Sequence, residues 1–228
     1  MLIAAMASTV AACSTLPYSG AINGLAKQPD KQFVEIQTTS GRIIIEVLSA
    51  QAPKVANWFL SLVDTGLYDG TKFFRSGHLA GQPARPRFLE GGPLASFLLG
   101  EREIKPATVA ESGLPLLRAW ETTTQSGLRH ERGSVSLARD ITGDGSAAPD
   151  LVISLETIAE MDAGGGYSPQ NAGFPVIGRV VAGMELVDAI AAGPRQGQSY
   201  VPFLNGQILS QPVMIEKALR MPLMTVQP

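Results

Sequence analysis

Phe33-Val34-Glu35-Ile36-Gln37-Thr38-Thr39-Ser40-Gly41-Arg42-Ile43-Ile44-Ile45-Glu46-Val47-Leu48 is the stretch whose reading decides the fold class. Phe33 to Gln37 alternate apolar with polar, Thr38 to Gly41 carry turn chemistry, and Arg42 to Leu48 resume as a β-branched run, so the segment reads as a β-hairpin. A helix follows. Pro53 suits a first helical turn, where its missing N–H is no loss, and Val55, Trp58 or Phe59, Leu62 and Val63 recur at helical spacing until Gly66 closes the segment. A helix with one apolar stripe must pack on a sheet. Tyr68-Asp69-Gly70-Thr71 is then a turn, and Phe73-Phe74-Arg75 returns the chain as a strand ending on a cation.

Around this stretch the chain has 228 residues, 45% of them apolar and 17% charged, enough for one sizeable domain with its own core. The net charge of −2 offers no basic stripe for nucleic acid, and no such partner is expected. Cys13 is the only cysteine, which excludes an internal disulfide and a thiol-based site elsewhere. His78 and His130 are the only histidines and have no cysteine or acid cluster around them, so no zinc set is expected. Asp140-Ile141-Thr142-Gly143-Asp144-Gly145 imitates the opening of a calcium loop, but Leu151 stands where the bidentate carboxylate should be. It reads as a turn, and no metal is expected.

Met1 to Ala12 is uncharged and almost wholly apolar or small, and Val10-Ala11-Ala12-Cys13 has the small-residue run that signal cleavage needs. No Lys or Arg precedes it. Twelve residues are too few to span a bilayer. The run before the lone cysteine resembles the lipobox of bacterial lipoproteins, in which Cys13 is lipidated and becomes the first mature residue; a loosely packed apolar tail is the plain alternative. Four segments result: a leader over 1–12, a flexible tether over 13–31, a domain over 32–220 and a tail over 221–228.

Three segments carry a resemblance to the cyclophilin-type peptidyl-prolyl isomerases. Ser40-Gly41-Arg42-Ile43-Ile44-Ile45-Glu46 is similar to the family's G-x-I-x-x-x-L strand, and Ala52-Pro53-Lys54-Val55-Ala56-Asn57-Trp58-Phe59 to its A-P-x-x-x-x-N-F helix start. Gly66-Leu67-Tyr68-Asp69-Gly70-Thr71-Lys72-Phe73-Phe74-Arg75 is similar to its Y-x-G-x-x-F-H-R turn. After an inserted loop from Ser76 to Arg87, Phe88-Leu89-Glu90-Gly91-Gly92 resembles F-x-x-Q-G-G, with Glu90 in the glutamine's place. Pro93 to Gln125 fits no motif. His130 to Arg139 resembles H-x-x-G-x-x-x-M-A, and Ser146 to Ile153 stands where members have S-A-G-S-Q-F-F-I. Leu155 to Asn171 is a second variable loop. Phe174 to Ile190 resembles V-F-G-x-V-x-x-G-x-x-V-V-x-x-I, and Pro212 to Glu216 reads as the closing strand that a family member would have. The resemblance covers residues 32 to 218. It implies a mainly β fold, a closed eight-stranded antiparallel barrel capped by two α-helices near Pro53 to Thr65 and Gly183 to Ala191.

The same resemblance implies an isomerase acting on proline-containing segments of client proteins without a cofactor, since only a dihedral changes. Arg75 falls where the catalytic arginine lies. Glu90 replaces a neutral glutamine and can form an ion pair with Arg75 that takes up part of its donor capacity. Phe88, Ala138, Arg139, Asp150, Val152 and Phe174 are the expected substrate-binding positions. Of these, Phe174 replaces a histidine, Val152 is smaller than the expected phenylalanine, and Asp150 replaces a glutamine and can pair with Arg139. Val152 reads as easily as core. With Cys13 lipidated, the protein belongs on the periplasmic side of a bacterial envelope and touches membrane only through that anchor. The alternative is a peptide-binding or scaffold module whose turnover has weakened, favoured by the changes at Glu90, Asp150, Val152 and Phe174.

Overall fold

In the computed structural model, which describes residues 31–80 and 85–222, the opening hairpin forms as its alternation requires. β1 (Gln32–Thr38) and β2 (Gly41–Val47) pair in register from Gln32↔Val47 to Thr38↔Gly41. Thr38 ties the turn by donating from Oγ1 to the Gly41 carbonyl at 2.8 Å and accepting from the Ser40 N–H at 3.1 Å. The remaining strands are β3 (Lys72–Gly77), β4 (Phe88–Gly92), β5 (Ser134–Arg139), β6 (Ala147–Ser154), β7 (Val176–Ala182) and β8 (Ile208–Arg220). They run β1-β2-β7-β5-β6-β4-β3-β8, all antiparallel, and β8 closes the barrel by pairing with both β3 and β1. Closure leaves no unpaired sheet edge. The helices are α1 (Pro53–Asp64), two single-turn pieces, α2 (Ala95–Leu98) and α3 (Thr123–Ser126), and α4 (Met184–Ala191).

Period-two alternation sorts the strand residues onto two faces. Leu89, Val135, Leu137, Leu151 and Ile153 join the main core, whereas Phe88, Ala138 and Val152 belong to a second apolar cluster. α1 and α4 contribute to the main core through Val55, Phe59, Leu62 and Val63 and through Val187 and Ile190. Phe59 rather than Trp58 takes the inward position, fully buried beside Tyr68 with the rings edge to face at 5.8 Å. Cutting such a ring back to Ala costs about 3–5 kcal/mol.

Two strand boundaries differ from the sequence reading. β3 continues past Arg75 to Gly77, so the inserted connection starts later than Ser76. β8 has 13 residues rather than the five of Pro212 to Glu216. Pro212 is tolerated because the β3–β8 ladder breaks between Val213 and Ile208, so this stretch of β8 needs no N–H from it. Pro93 to Gln125, unassigned from sequence, is anchored at Glu121. Its carboxylate accepts from the backbone N–H of Lys54 at 3.0 Å and of Val55 at 3.3 Å, the open first turn of α1. The expected leader, Cys13 and most of the tether lie outside the described residues, as does most of the tail. Among the described residues no helix is long and apolar enough to cross a membrane.

Candidate active site

The site is built on the strand that ends the opening motif. In the β3–β4 ladder Phe73 pairs with Gly91 and Arg75 with Glu90, so two steps on β3 match one on β4 and Phe74 is the extra residue of a bulge. Strict alternation would put Arg75 on the same face as Phe73, inside the barrel. The bulge shifts that parity: Phe73 stays in the main core, Phe74 packs with Ala95, Leu204 and Ile208, and Arg75 lies with it on the outer face. The register across β4 and β8 then places acceptors on both sides of the cation.

Arg75 Nη1 meets Glu90 Oε2 at 2.8 Å, and the side chains are only 12% and 7% exposed, so this is a close and largely dry ion pair. Nε and Nη2 both donate to Gln207 Oε1, at 3.1 and 2.8 Å, and the guanidinium lies 4.9 Å above the Phe88 ring. A guanidinium has five N–H donors. These contacts use three, leaving one on each terminal nitrogen without an acceptor among the described residues.

Two cavities meet at Arg75. The smaller, about 50 Å³, is walled by Leu79, Phe88, Val152, Met161, Tyr167 and Phe174 together with Arg75, Glu90, Ala138 and Arg139. The larger, about 130 Å³, shares Arg75, Glu90, Ala138 and Arg139 and is otherwise bounded by residues such as Leu94, Phe97, Leu98, Tyr200, Phe203 and Leu204. Phe174 is fixed by stacking on Tyr167 at 6.1 Å and by the edge of His130 at 6.4 Å. His130 is in turn held through Nδ1 by Asp162 at 2.7 Å. Arg87 ties the Met161 segment to β4 through Glu156 at 2.5 Å and Glu160 at 2.9 Å.

Arg75, Glu90, Phe88, Ala138, Arg139, Val152 and Phe174 are thus brought together. Val152 is both packed and wall-forming, 2% exposed in the second apolar cluster while bounding the smaller cavity. Asp150 is not brought in. Alternation puts it on the same face as Val152, but the chain from Gly92 to Leu94 crosses over it and buries it completely. Its Oδ1 accepts from the Leu94 N–H at 2.9 Å, and a Cβ on Gly92 would lie 2.7 Å from that oxygen, which is why glycine is needed there. Asp150 Oδ2 has no partner among the described residues. Burial, with the charge of Glu90 second, pushes this carboxyl well above the usual range, against the Leu94 hydrogen bond.

The expected Arg139–Asp150 pair is likewise corrected. Arg139 donates from Nε to the Gly145 carbonyl at 2.7 Å, from Nη1 to the Gly173 carbonyl at 3.2 Å and from Nη2 to Gln170 Oε1 at 3.3 Å. Its guanidinium also lies 5.0 Å from the Trp120 ring. It joins the loops that flank the smaller cavity, and burial lowers its pKa from the ordinary arginine value. Gln207 was not identified from sequence. It lies 132 residues from Arg75, and the only nearby signal is the Asn205-Gly206 turn preceding β8. Asp140 to Gly145 is a turn, with the N–H groups of Gly143 and Gly145 both donating to the Asp140 carbonyl.

A family model described as cyclophilin type peptidyl-prolyl cis-trans isomerase matches residues 33–218. The curated peptidyl-prolyl cis-trans isomerase cyp18 of Streptomyces antibioticus is 31% identical over 189 residues, 81% of this chain and 96% of that protein. Peptidyl-prolyl cis-trans isomerase A of Dickeya dadantii is 28% identical over 185 residues, 81% of this chain and 82% of its own. The crystal structure of a cyclophilin-type isomerase from Cryptosporidium parvum aligns with a TM-score of 0.58 at 16% identity, covering 84% of this chain and 98% of that one. A second structure of that protein, determined in the presence of the dipeptide Ala-Pro, aligns with the same TM-score of 0.58. With the matched span running from β1 into β8, the chain belongs to the cyclophilin-type peptidyl-prolyl cis-trans isomerase family.

Proposed function

We propose that the protein isomerises Xaa–Pro bonds in extended peptide segments, with Arg75 as its catalytic residue. The bond resists rotation because amide resonance sets a barrier of about 18–20 kcal/mol. In the twisted amide the proline nitrogen regains a lone pair, and a fixed donor aimed at it stabilises that state above the planar one. The observation that carries this reading is the placement of Arg75: a guanidinium gripped on two sides, with a donor free on each terminal nitrogen, in the wall between two largely apolar cavities. The smaller cavity suits a proline ring, bounded by Phe88, Val152 and Phe174. The larger would take an apolar side chain from elsewhere on the same peptide.

No covalent bond is made or broken, so binding, orientation and one hydrogen bond suffice. A protease-coupled assay on prolyl tetrapeptides tests the proposal with the purified full chain. Arg75→Ala should reduce kcat/KM by on the order of a hundredfold or more, in line with the loss of one transition-state donor. Activity equal to the unmodified protein would dismiss Arg75 from the reaction. Glu90 carries the second reading, a binding module with weakened turnover, because its carboxylate offsets part of the cation's charge. Absent isomerase activity together with saturable binding of the same peptides would favour that module.

We also propose that the protein acts on envelope proteins from the periplasmic side, held by a lipid on Cys13. The small-residue run Val10-Ala11-Ala12 before the lone cysteine supports this. Mass spectrometry of protein expressed in a Gram-negative host should find a diacylglyceryl adduct on Cys13. A mature chain beginning elsewhere, or an unmodified thiol, would refute it.

A further inference from the structure

Gln207 stands just before β8, and three donors converge on its buried Oε1: Arg75 Nε at 3.1 Å, Arg75 Nη2 at 2.8 Å and the His78 backbone N–H at 3.0 Å. Its Nε2 donates to the Phe203 carbonyl at 2.9 Å, so both ends of the amide are engaged, and the residue is 3% exposed. Its own carbonyl accepts from the Ser76 N–H at 2.9 Å, fixing its backbone against β3.

The two grips on Arg75 differ in kind. Glu90 touches one terminal nitrogen, and a single contact leaves a planar group free to turn about that axis. Gln207 accepts from Nε and Nη2 together, which sets the guanidinium plane, and it does so with a neutral oxygen that leaves the charge intact. We propose that Gln207 is a positioning residue for prolyl isomerisation, acting through Arg75 to aim its two free N–H groups across the wall between the cavities. This deepens the reading of Arg75 as catalytic and rests on it.

The test measures kcat and KM separately on a prolyl tetrapeptide for the full chain and its variants, with a thermal melt for each. Gln207→Met, which keeps side-chain length and removes both polar atoms, should lower kcat on the order of ten- to a hundredfold, as misaimed catalytic groups do, with KM nearly unchanged. Gln207→Glu keeps an acceptor for Arg75 but cannot donate to Phe203 and adds a second carboxylate to the guanidinium, and should lower kcat by about fivefold, less than Gln207→Met. In an Arg75→Ala background, Gln207→Met should change nothing further. Should the Met variant fail to fold, Gln207→Asn, which withdraws the amide by one methylene, carries the same expectation.

Gln207→Met with unaltered kcat would overturn the proposal. So would Gln207→Glu as impaired as Gln207→Met, since the amide would then be a strut for Phe203, and so would additive losses in the double variant. An inactive Arg75→Ala beside a fully active Gln207→Met would leave Arg75 catalytic and remove only the role of Gln207. A fully active Arg75→Ala would remove both.

Discussion

Glu90→Gln should raise turnover, because it removes one negative charge from the Arg75 guanidinium and little else. The side chain keeps its length, and its amide oxygen can still accept from Nη1 across the 2.8 Å now spanned. Hydrogen bonds from charged groups contribute about 1.5–3 kcal/mol and neutral ones about 0.5–1.5 kcal/mol, so a cation no longer shared with a carboxylate gains about 1 kcal/mol as a donor. That gain is felt where the proline nitrogen carries a lone pair, in the twisted state, and it corresponds to about a fivefold increase in kcat. Glu90→Ala separates charge from grip: it removes the acceptor as well, and should fall below Glu90→Gln. The assay is the protease-coupled reaction on a single prolyl tetrapeptide, with kcat and KM resolved and folding checked by a melt. A Glu90→Gln variant with equal or lower kcat would refute the argument that the carboxylate restrains Arg75, and would mean that its negative charge aids the reaction.

Asp150→Asn should stabilise the protein more at pH 8 than at pH 5, measured as melting temperature. Burial raises the folded-state pKa of Asp150 above its unfolded value, so its contribution is complete below the unfolded value and is lost as pH rises through the raised one. An equal shift at both pH values would contradict a buried acid. Glu121→Ala should cost about 1 kcal/mol in chemical denaturation by uncapping the first turn of α1, with Glu121→Gln falling between. No change in either variant would show that water satisfies Lys54 and Val55 as well as the carboxylate does.

Legibility from sequence followed the range of the interactions. The hairpin, α1, the Tyr68 turn and the apolar stripe of α4 were readable because each is decided by alternation, helical spacing or a turn residue within a few positions, whereas β5 and β7 were readable through their resemblance to family motifs. Gly91 was readable as part of a motif, but its reason is spatial: a Cβ there would stand 2.5 Å from the Phe73 ring and 2.6 Å from its Cα. β8 was underread because Pro212 argues against a strand interior, and only the ladder shows that no N–H is required there. Asp150 was misplaced for a related cause. It stands where the family motif carries a groove glutamine, but a motif position cannot show that the Gly92–Leu94 segment lies across it.

The sequence by itself determined the opening hairpin, the first helix and the strand that ends on Arg75, since side-chain periodicity and turn chemistry are local properties, while the closed barrel and the role of Arg75 were legible only through the resemblance to the cyclophilin-type isomerases. Only the tertiary structure decided what surrounds that arginine. The bulge at Phe74 turns Arg75 outward, and closure of β8 against β3 brings in Gln207 from 132 residues away. The folded loops supply the remaining cavity walls. Strand register and chain closure set those distances, and neither is encoded in the spacing of any single motif.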